Sequence, residues 1–302
     1  MKKIFLAVNV VLMALLAFFF LRFIDLDSLS QAVKNADFPL LLLAAFFYFL
    51  VQFVNFIRLG RIIGSYSKGV FFSHFAGVAA SDYTPGRLGY SLAFLAMKKL
   101  GIPVSKNLKA GALVFATDFA SRAVFALAIV ALFSPSFLPV VILLLLAAAF
   151  LFAVFFRKSA KLSWLLSKIP FAKERLSLLY EAAVGSEIAF SEVVICFALS
   201  VVGAFLRGAS WTLIFIALGF KAEPAFALVS FTLFSSVITI ISIIPVSLSG
   251  IGVQEATGAF VLSNFLGLPI QVAAAGLIIS RAIELSVDLI FATPWFARNF
   301  KG

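Results

Sequence analysis

Nine charged side chains stand in segments of this sequence that are otherwise apolar enough for a bilayer. They are four arginines and five carboxylates, namely Arg87, Arg122, Arg207, Arg281, Asp82, Asp118, Glu255, Glu284 and Asp288. A lone charge at membrane depth is costly, so such groups are usually paired, hydrated or part of a substrate or ion path. Because guanidinium groups bind phosphate and carboxylate in bidentate fashion, the arginines predict an anionic ligand. A structural position lining the helix bundle is the alternative for Arg207.

The spacing of these charges defines two helix faces. Asp118 and Arg122 are four residues apart, while Arg281, Glu284 and Asp288 follow one another at intervals of three and four. Residues at these spacings lie on one side of a helix. Ion pairs that only hold helices together are the alternative to a binding role for both sets.

The remaining charges adjoin two backbone breaks. The stretches DYTPGRLG (82–89) and PVSLSGIGVQE (245–255) bring proline and glycine into apolar sequence. A helix that restarts after such a break exposes backbone N–H groups that attract anions, although Glu255 could instead cap its helix. We therefore predict substrate contacts from Arg87, Arg122, Arg281, Asp118, Glu255, Glu284, Ser247 and Ser249, and backbone hinges at Pro85, Gly86, Gly89, Pro245, Gly250 and Gly252.

The composition predicts an all-α polytopic membrane protein. Of the 302 residues, 63% are hydrophobic and 12% are charged, and the mean hydropathy is +1.15. Apolar runs that approach or exceed the ~20 residues of a membrane-crossing helix occupy residues 4–21, 39–57, 108–133, 138–156, 192–218 and 272–296. The first run has no small-residue cleavage site, so we expect it to be an uncleaved span.

Several other classes of protein are excluded. The net charge of +11 gathers between the apolar runs, which is typical of cytoplasmic loops rather than of a nucleic-acid surface. Cys196 is the single cysteine, so no disulfide within the chain is expected, and His74 has no metal-ligand motif around it. We expect no cofactor, no metal and no catalytic residue. No nucleotide-binding motif is present, so ATP is not expected to drive the protein directly.

Charge bias also predicts the topology. The regions around the two breaks suit re-entrant hairpins, because the apolar pieces beside the first break are too short to cross. With about six spans and two hairpins, the outer segments keep only Arg22, Lys34 and Lys221, as the positive-inside rule requires. The termini and an amphipathic connector at 157–187 are then cytoplasmic, in a plasma-membrane protein with one transmembrane domain over 1–302. Eight full spans are the alternative.

An internal repeat links the two breaks. LGIP at 100–103 and SRAV at 121–124 follow the first break, and LGLP at 266–269 and SRAI at 280–283 follow the second. Repeat units of about 39–133 and 188–297 are therefore predicted, and the topology makes them inverted. Inverted repeats with broken helices are a plan of secondary transporters. Chance similarity of apolar sequence is the alternative.

The motifs TPGRLG (84–89), IPVSLSGIGVQE (244–255) and SRAIE (280–284) resemble the flippase-like membrane domain of lysylphosphatidylglycerol synthases. The resemblance covers nearly the whole chain and implies a domain of about eight helices that moves lipids between leaflets. The sequence ends soon after its last apolar run, so we expect no soluble catalytic domain and no aminoacyl transfer. Tyr90 stands where many relatives have glutamate, a departure that puts the substrate or the coupling in doubt.

These observations predict a non-enzymatic, flippase-like transporter of a phosphate-bearing lipid: an aminoacyl-phospholipid, another phospholipid or a polyprenyl-phosphate-linked sugar. The expected partners are membrane lipids and a separate lipid-synthesising enzyme. An intramembrane lipid-modifying transferase, a small-anion or proton-coupled permease, and a scaffold without transport activity are the rivals.

Overall fold

The chain forms a bundle of helices. The structure, a computed structural model, describes residues 26–82, 84, 90–133, 142, 188–242 and 253–299. Within these residues there are nine α-helices and no strand: α1 (Leu26–Lys34), α2 (Phe38–Ile63), α3 (Lys68–Asp82), α4 (Ser91–Lys99), α5 (Val104–Phe133), α6 (Phe190–Ala217), α7 (Pro224–Ser242), α8 (Val253–Leu266) and α9 (Ile270–Asn299). The predicted all-α membrane class is confirmed.

Several predicted features lie outside the described residues. They are the first span at 4–21, the apolar run at 138–156, the connector at 157–187 and the tips of both breaks. The tips include the predicted contacts Arg87, Ser247 and Ser249 and the predicted hinges Pro85, Gly86, Gly89, Pro245, Gly250 and Gly252.

Three of the described helices are long and apolar enough to cross a membrane: α2, α5 over Val104–Ile129, and α6. Local sequence sets the ends of α2. The Asp37 side chain accepts a hydrogen bond from the Leu40 amide at 3.3 Å, and Gly64 closes the helix with a φ of +66°. An N-terminal aspartate and a left-handed C-terminal glycine are favoured helix caps.

Short helices flank the first break. α3 has 15 residues and α4 has 9, which at 1.5 Å per residue gives lengths of about 22 Å and 14 Å. Both are shorter than the ~30 Å hydrocarbon core, and the two helices pack against each other. These lengths agree with a re-entrant hairpin better than with two full crossings.

The described helices fall into two successions of the same form. A first unit, α2–α5, has helices of 26, 15, 9 and 30 residues, and a second unit, α6–α9, has helices of 28, 19, 14 and 30 residues. Gly101 and Gly267 both take positive φ before the last helix of their unit. The duplication and the inverted relation of the units both stay predictions.

Helices of the two units pack against each other. α3 packs on α9 of the second unit, and its counterpart α7 packs on α5 of the first, while α2 and α6 pack along each other. The largest apolar core lies around α6, α7 and α9, where the rings of Phe215 and Phe231 stack at 4.5 Å. Charged residues of one unit are thereby brought against those of the other.

Candidate functional site

A cluster of buried charges lies on α9. It consists of Asp82, Arg207, Arg281, Glu284 and Asp288, and we call it the α9 charge cluster. Arg207 of α6 donates to Glu284 Oε1 at 2.5 Å, and Ser280 Oγ donates to the same oxygen at 3.3 Å. Arg281 NH1 lies 3.8 Å from Asp82 Oδ1 and 3.8 Å from Glu284 Oε2. The cluster therefore joins three helices from both units.

Asp288 has different partners from the other two carboxylates of the cluster. Tyr48 on α2 donates its phenolic hydrogen to Asp288 Oδ2 at 2.7 Å, and Gln52 Nε2 donates to the Tyr48 oxygen at 2.6 Å. The Arg207 guanidinium lies over the Tyr48 ring, 5.7 Å from its centroid. Asp288 is thus held by a neutral phenol, whereas Glu284 is held by a guanidinium.

A second polar cluster surrounds Arg58, which is fully buried. Its NH1 donates to Asp118 Oδ1 at 2.6 Å, and its NH2 donates to Val114 O at 2.7 Å and to Thr117 Oγ1 at 2.6 Å. The Asp118 side chain keeps 30% of its surface exposed. Arg58 therefore fastens α2 to α5 and leaves one side of the carboxylate open.

One face of α2 connects the two clusters. Tyr48, Gln52, Asn55 and Arg58 are spaced by four, three and three residues, and we call them the α2 polar ladder. Arg58 NH1 donates to Asn55 Oδ1 at 3.0 Å, and Asn55 Nδ2 lies 3.4 Å from Gln52 Oε1. The ladder extends a hydrogen-bonded connection from Asp118 to Asp288 inside an apolar helix.

The predicted site residues are only partly brought together. Arg281 and Glu284 lie in the α9 charge cluster, as their common helix face predicted. Asp118 forms an ion pair with Arg58, and Arg122 also attracts it electrostatically. Glu255 is buried in the first turn of α8.

Two basic residues that the sequence analysis did not single out, Arg58 and Lys109, are buried in the structure. The α2 polar ladder was also missed. Its signal was present in the sequence, because four polar residues share one face of an otherwise apolar helix. His74 is buried, and its ring Nδ1 hydrogen-bonds with the hydroxyl of Tyr90 at 2.8 Å.

The α9 charge cluster carries charges of both signs. Two guanidinium groups face three carboxylates, and all five side chains are buried. In the part of the chain that the structure describes, no group of three His, Cys, Asp or Glu residues is arranged to hold a metal ion.

Outside the membrane-spanning part, the amides of Ala225 and Phe226 donate to Glu223 and lower the pKa of its carboxyl.

With this geometry in place, comparison with known proteins decides the family. The model of the family described as "Lysylphosphatidylglycerol synthase TM region" matches residues 4–292. The chain belongs to this family. A comparison with curated proteins gave no match.

Membership of the lysylphosphatidylglycerol synthase TM region family confirms the resemblance found in the motifs. The protein is a membrane protein, and its family ties it to the chemistry of membrane lipids.

Proposed function

We propose that the protein is a flippase that moves a phosphate-bearing lipid between the two leaflets, without enzymatic activity of its own. One observation carries the proposal. A member of a lipid-related membrane family buries Arg207 and Arg281 among three carboxylates, at a place where helices of both repeat-like units meet. A lipid headgroup crossing a bilayer needs polar surroundings of this kind, because the hydrocarbon core offers none.

Arg281 is the first contact for the headgroup phosphate. Its NH1 is 3.8 Å from the oxygens of Asp82 and Glu284, which is longer than a charge-assisted hydrogen bond of ~2.8 Å. Arg207 is already engaged with Glu284 at 2.5 Å. The predicted contacts Arg87 and Arg122 would add further positive charge.

The contacts of α3 with α9 and of α7 with α5 supply a route for alternating access. Asp82 is the last residue of α3, so its contact with Arg281 reports on how this helix sits on α9. Movement of α3 away from α9 separates these charges and admits a headgroup. The same movement of α7 against α5 opens the other half of the bundle, as alternating access between two repeats requires.

The proposed function also places the protein in a particular membrane and beside a particular kind of enzyme. The protein lies in the plasma membrane with both termini in the cytoplasm, and a separate enzyme makes the lipid that it moves. The aminoacyl-phospholipid, another phospholipid and the polyprenyl-phosphate-linked sugar share the phosphate that Arg281 recognises, and the headgroup tests below separate them.

The test uses purified protein in phosphatidylcholine vesicles that contain a little fluorescent phosphatidylglycerol. Dithionite added outside bleaches only the outer-leaflet probe, so movement between leaflets increases the bleached fraction. Wild type is compared with empty vesicles, with Arg281→Gln, and with Arg61→Gln as a matched control. Arg61 forms an exposed ion pair with Glu192, away from the cluster.

We expect movement with wild type and with Arg61→Gln, and a loss of at least tenfold in rate with Arg281→Gln. Gel filtration checks that each variant is folded. Equal movement by wild type and Arg281→Gln, or by empty vesicles, would refute the role of the cluster. Repeating the assay with aminoacyl- and polyprenyl-phosphate probes identifies the headgroup. Passage of inorganic phosphate without lipid movement would favour a permease, and a new lipid product in detergent would favour a transferase.

A further inference from the structure

Asp288 is a buried acid for which the proposed phosphate contacts leave no role. Its exposed fraction is 0%, lower than those of Asp82 and Glu284, both at 6%. Oδ2 accepts the hydrogen bond from Tyr48, whereas Oδ1 is buried and has no hydrogen-bond partner among the described residues. In the same part of the chain, no arginine or lysine forms an ion pair with Asp288.

Two carboxylates and one guanidinium act electrostatically on Asp288. Asp82 of α3 and Glu284 of α9 repel a negative charge on Asp288, and Arg207 of α6 attracts it. Arg207 is already bound to Glu284, and Arg281 lies nearest to Asp82 and Glu284.

The other helices that contact α9 contribute little positive charge to this place. α2 contributes the neutral phenol of Tyr48. α8 carries the buried carboxylate Glu255, and α1 carries Asp27 and Lys34, both exposed. A buried carboxyl without a cationic partner takes up a proton, because that costs less than burying its charge.

We infer that Asp288 binds a proton on Oδ1 and is the proton-coupling site of the flippase; the coupling rests on the function proposed above. Intramembrane carboxyl groups of this kind serve as proton relays in pumps and transporters. A metal cation is disfavoured, because the described residues offer no group of three metal-binding side chains. Tyr48 is a positioning residue, since it fixes Oδ2 and leaves Oδ1 for the proton.

Proton binding and phosphate binding reinforce each other in this arrangement. A phosphate that engages Arg281 takes its positive charge away from Asp82 and Glu284. The carboxylates then repel a charge on Asp288 more strongly, so the proton binds more tightly. The effect is reciprocal by linkage. An anionic lipid and a proton therefore move in the same direction.

The proton itself is tested by infrared spectroscopy of the full chain in phosphatidylcholine membranes at neutral pH. Wild type should show the C=O band of a protonated carboxyl group, with the small shift in D2O that marks an exchangeable proton. Asp288→Asn should lose this band, while Glu192→Gln, which replaces an ion-paired carboxylate away from the cluster, should keep it. Tyr48→Phe changes no charge but removes the hydrogen bond to Asp288 Oδ2. It should therefore shift the band to higher frequency rather than remove it. A spectrum unchanged by Asp288→Asn would overturn the proton site.

Coupling is tested with the same fluorescent phosphatidylglycerol in vesicles under an imposed pH difference. One proton per lipid allows the distribution to shift by about tenfold per pH unit, towards the alkaline side. Asp288→Asn should ignore the pH difference. Lipid movement by wild type that also ignores it would overturn the coupling and leave the flippase intact. No lipid movement at all would overturn the flippase and the coupling together, while the infrared band would still decide the proton site.

Discussion

Replacement of Arg58 by glutamine is expected to destabilise the bundle by about 3 kcal/mol. Arg58 is fully buried and binds Asp118, Val114 and Thr117 at 2.6–2.7 Å. Each hydrogen bond from the charged guanidinium contributes about 1.5–3 kcal/mol, so complete loss of the three would cost at least about 4.5 kcal/mol. Glutamine keeps one donor, and Asp118, with 30% of its side chain exposed, regains water. Both effects lower the figure.

The assay is unfolding by sodium dodecyl sulfate in mixed micelles, followed by circular dichroism. A loss of 3 kcal/mol raises the unfolding constant roughly 150-fold. Arg61→Gln is the matched control, because Arg61 lies one turn further along α2 and its ion pair with Glu192 is exposed, a situation in which ion pairs contribute little. The double variant Arg58→Gln/Asp118→Asn should lose less than the sum of the single variants. Equal losses for Arg58→Gln and Arg61→Gln would show that burial does not set the strength of these pairs.

Two further changes have clear expected outcomes. Gly208→Ala should destabilise the protein by about 1–3 kcal/mol through overpacking, because the new Cβ would lie 2.8 Å from Thr232 Cα where α6 meets α7. Gly203→Ala, whose Cβ would meet no atom nearer than 4.0 Å, should be tolerated; similar thermal unfolding curves for the two variants would contradict this packing. The lowered pKa of Glu223 means that its cap stabilises the protein above the ordinary glutamate pKa and is lost as the pH falls through the lowered value. Wild type should therefore lose more stability on acidification than Glu223→Gln does, and parallel pH profiles would show that the cap makes no contribution.

The apolar runs of the sequence and the glycines and prolines between them predict much of this fold. The apolar runs at 39–57, 108–133, 192–218 and 272–296 correspond to α2, α5, α6 and α9, each extended by a few residues. The helices extend beyond the apolar runs because caps and turns, such as Gly64 after α2, determine where a helix ends. Hydropathy does not determine these ends. The repeated Leu-Gly-x-Pro segment marks the turn before α5 and before α9, where Gly101 and Gly267 take positive φ.

The site was less predictable, because its contacts join residues far apart in sequence. Spacing along one helix correctly placed Arg281 and Glu284 together. It could not show that Arg207 approaches Glu284 or that Tyr48 approaches Asp288, pairs separated by 77 and 240 residues. The sequence also did not show that Arg58 is buried, because a basic residue near the end of an apolar run resembles a charged loop residue. Only the structure shows that α5 places Asp118 beside it.

The two units share a backbone plan but not a charge pattern, and the difference has a mechanistic meaning. When the Ser-Arg-Ala segments are aligned, Arg281 corresponds to Arg122, but Glu284 and Asp288 correspond to Phe125 and Ile129. Ile129 is buried in the main apolar core, and Phe125 packs against it. An arginine therefore stands at this position in both units, whereas the positions of Glu284 and Asp288 are apolar in α5. In the proposed flippase, the two units supply similar half-paths for the lipid, and the proton binds in only one of them, on α9.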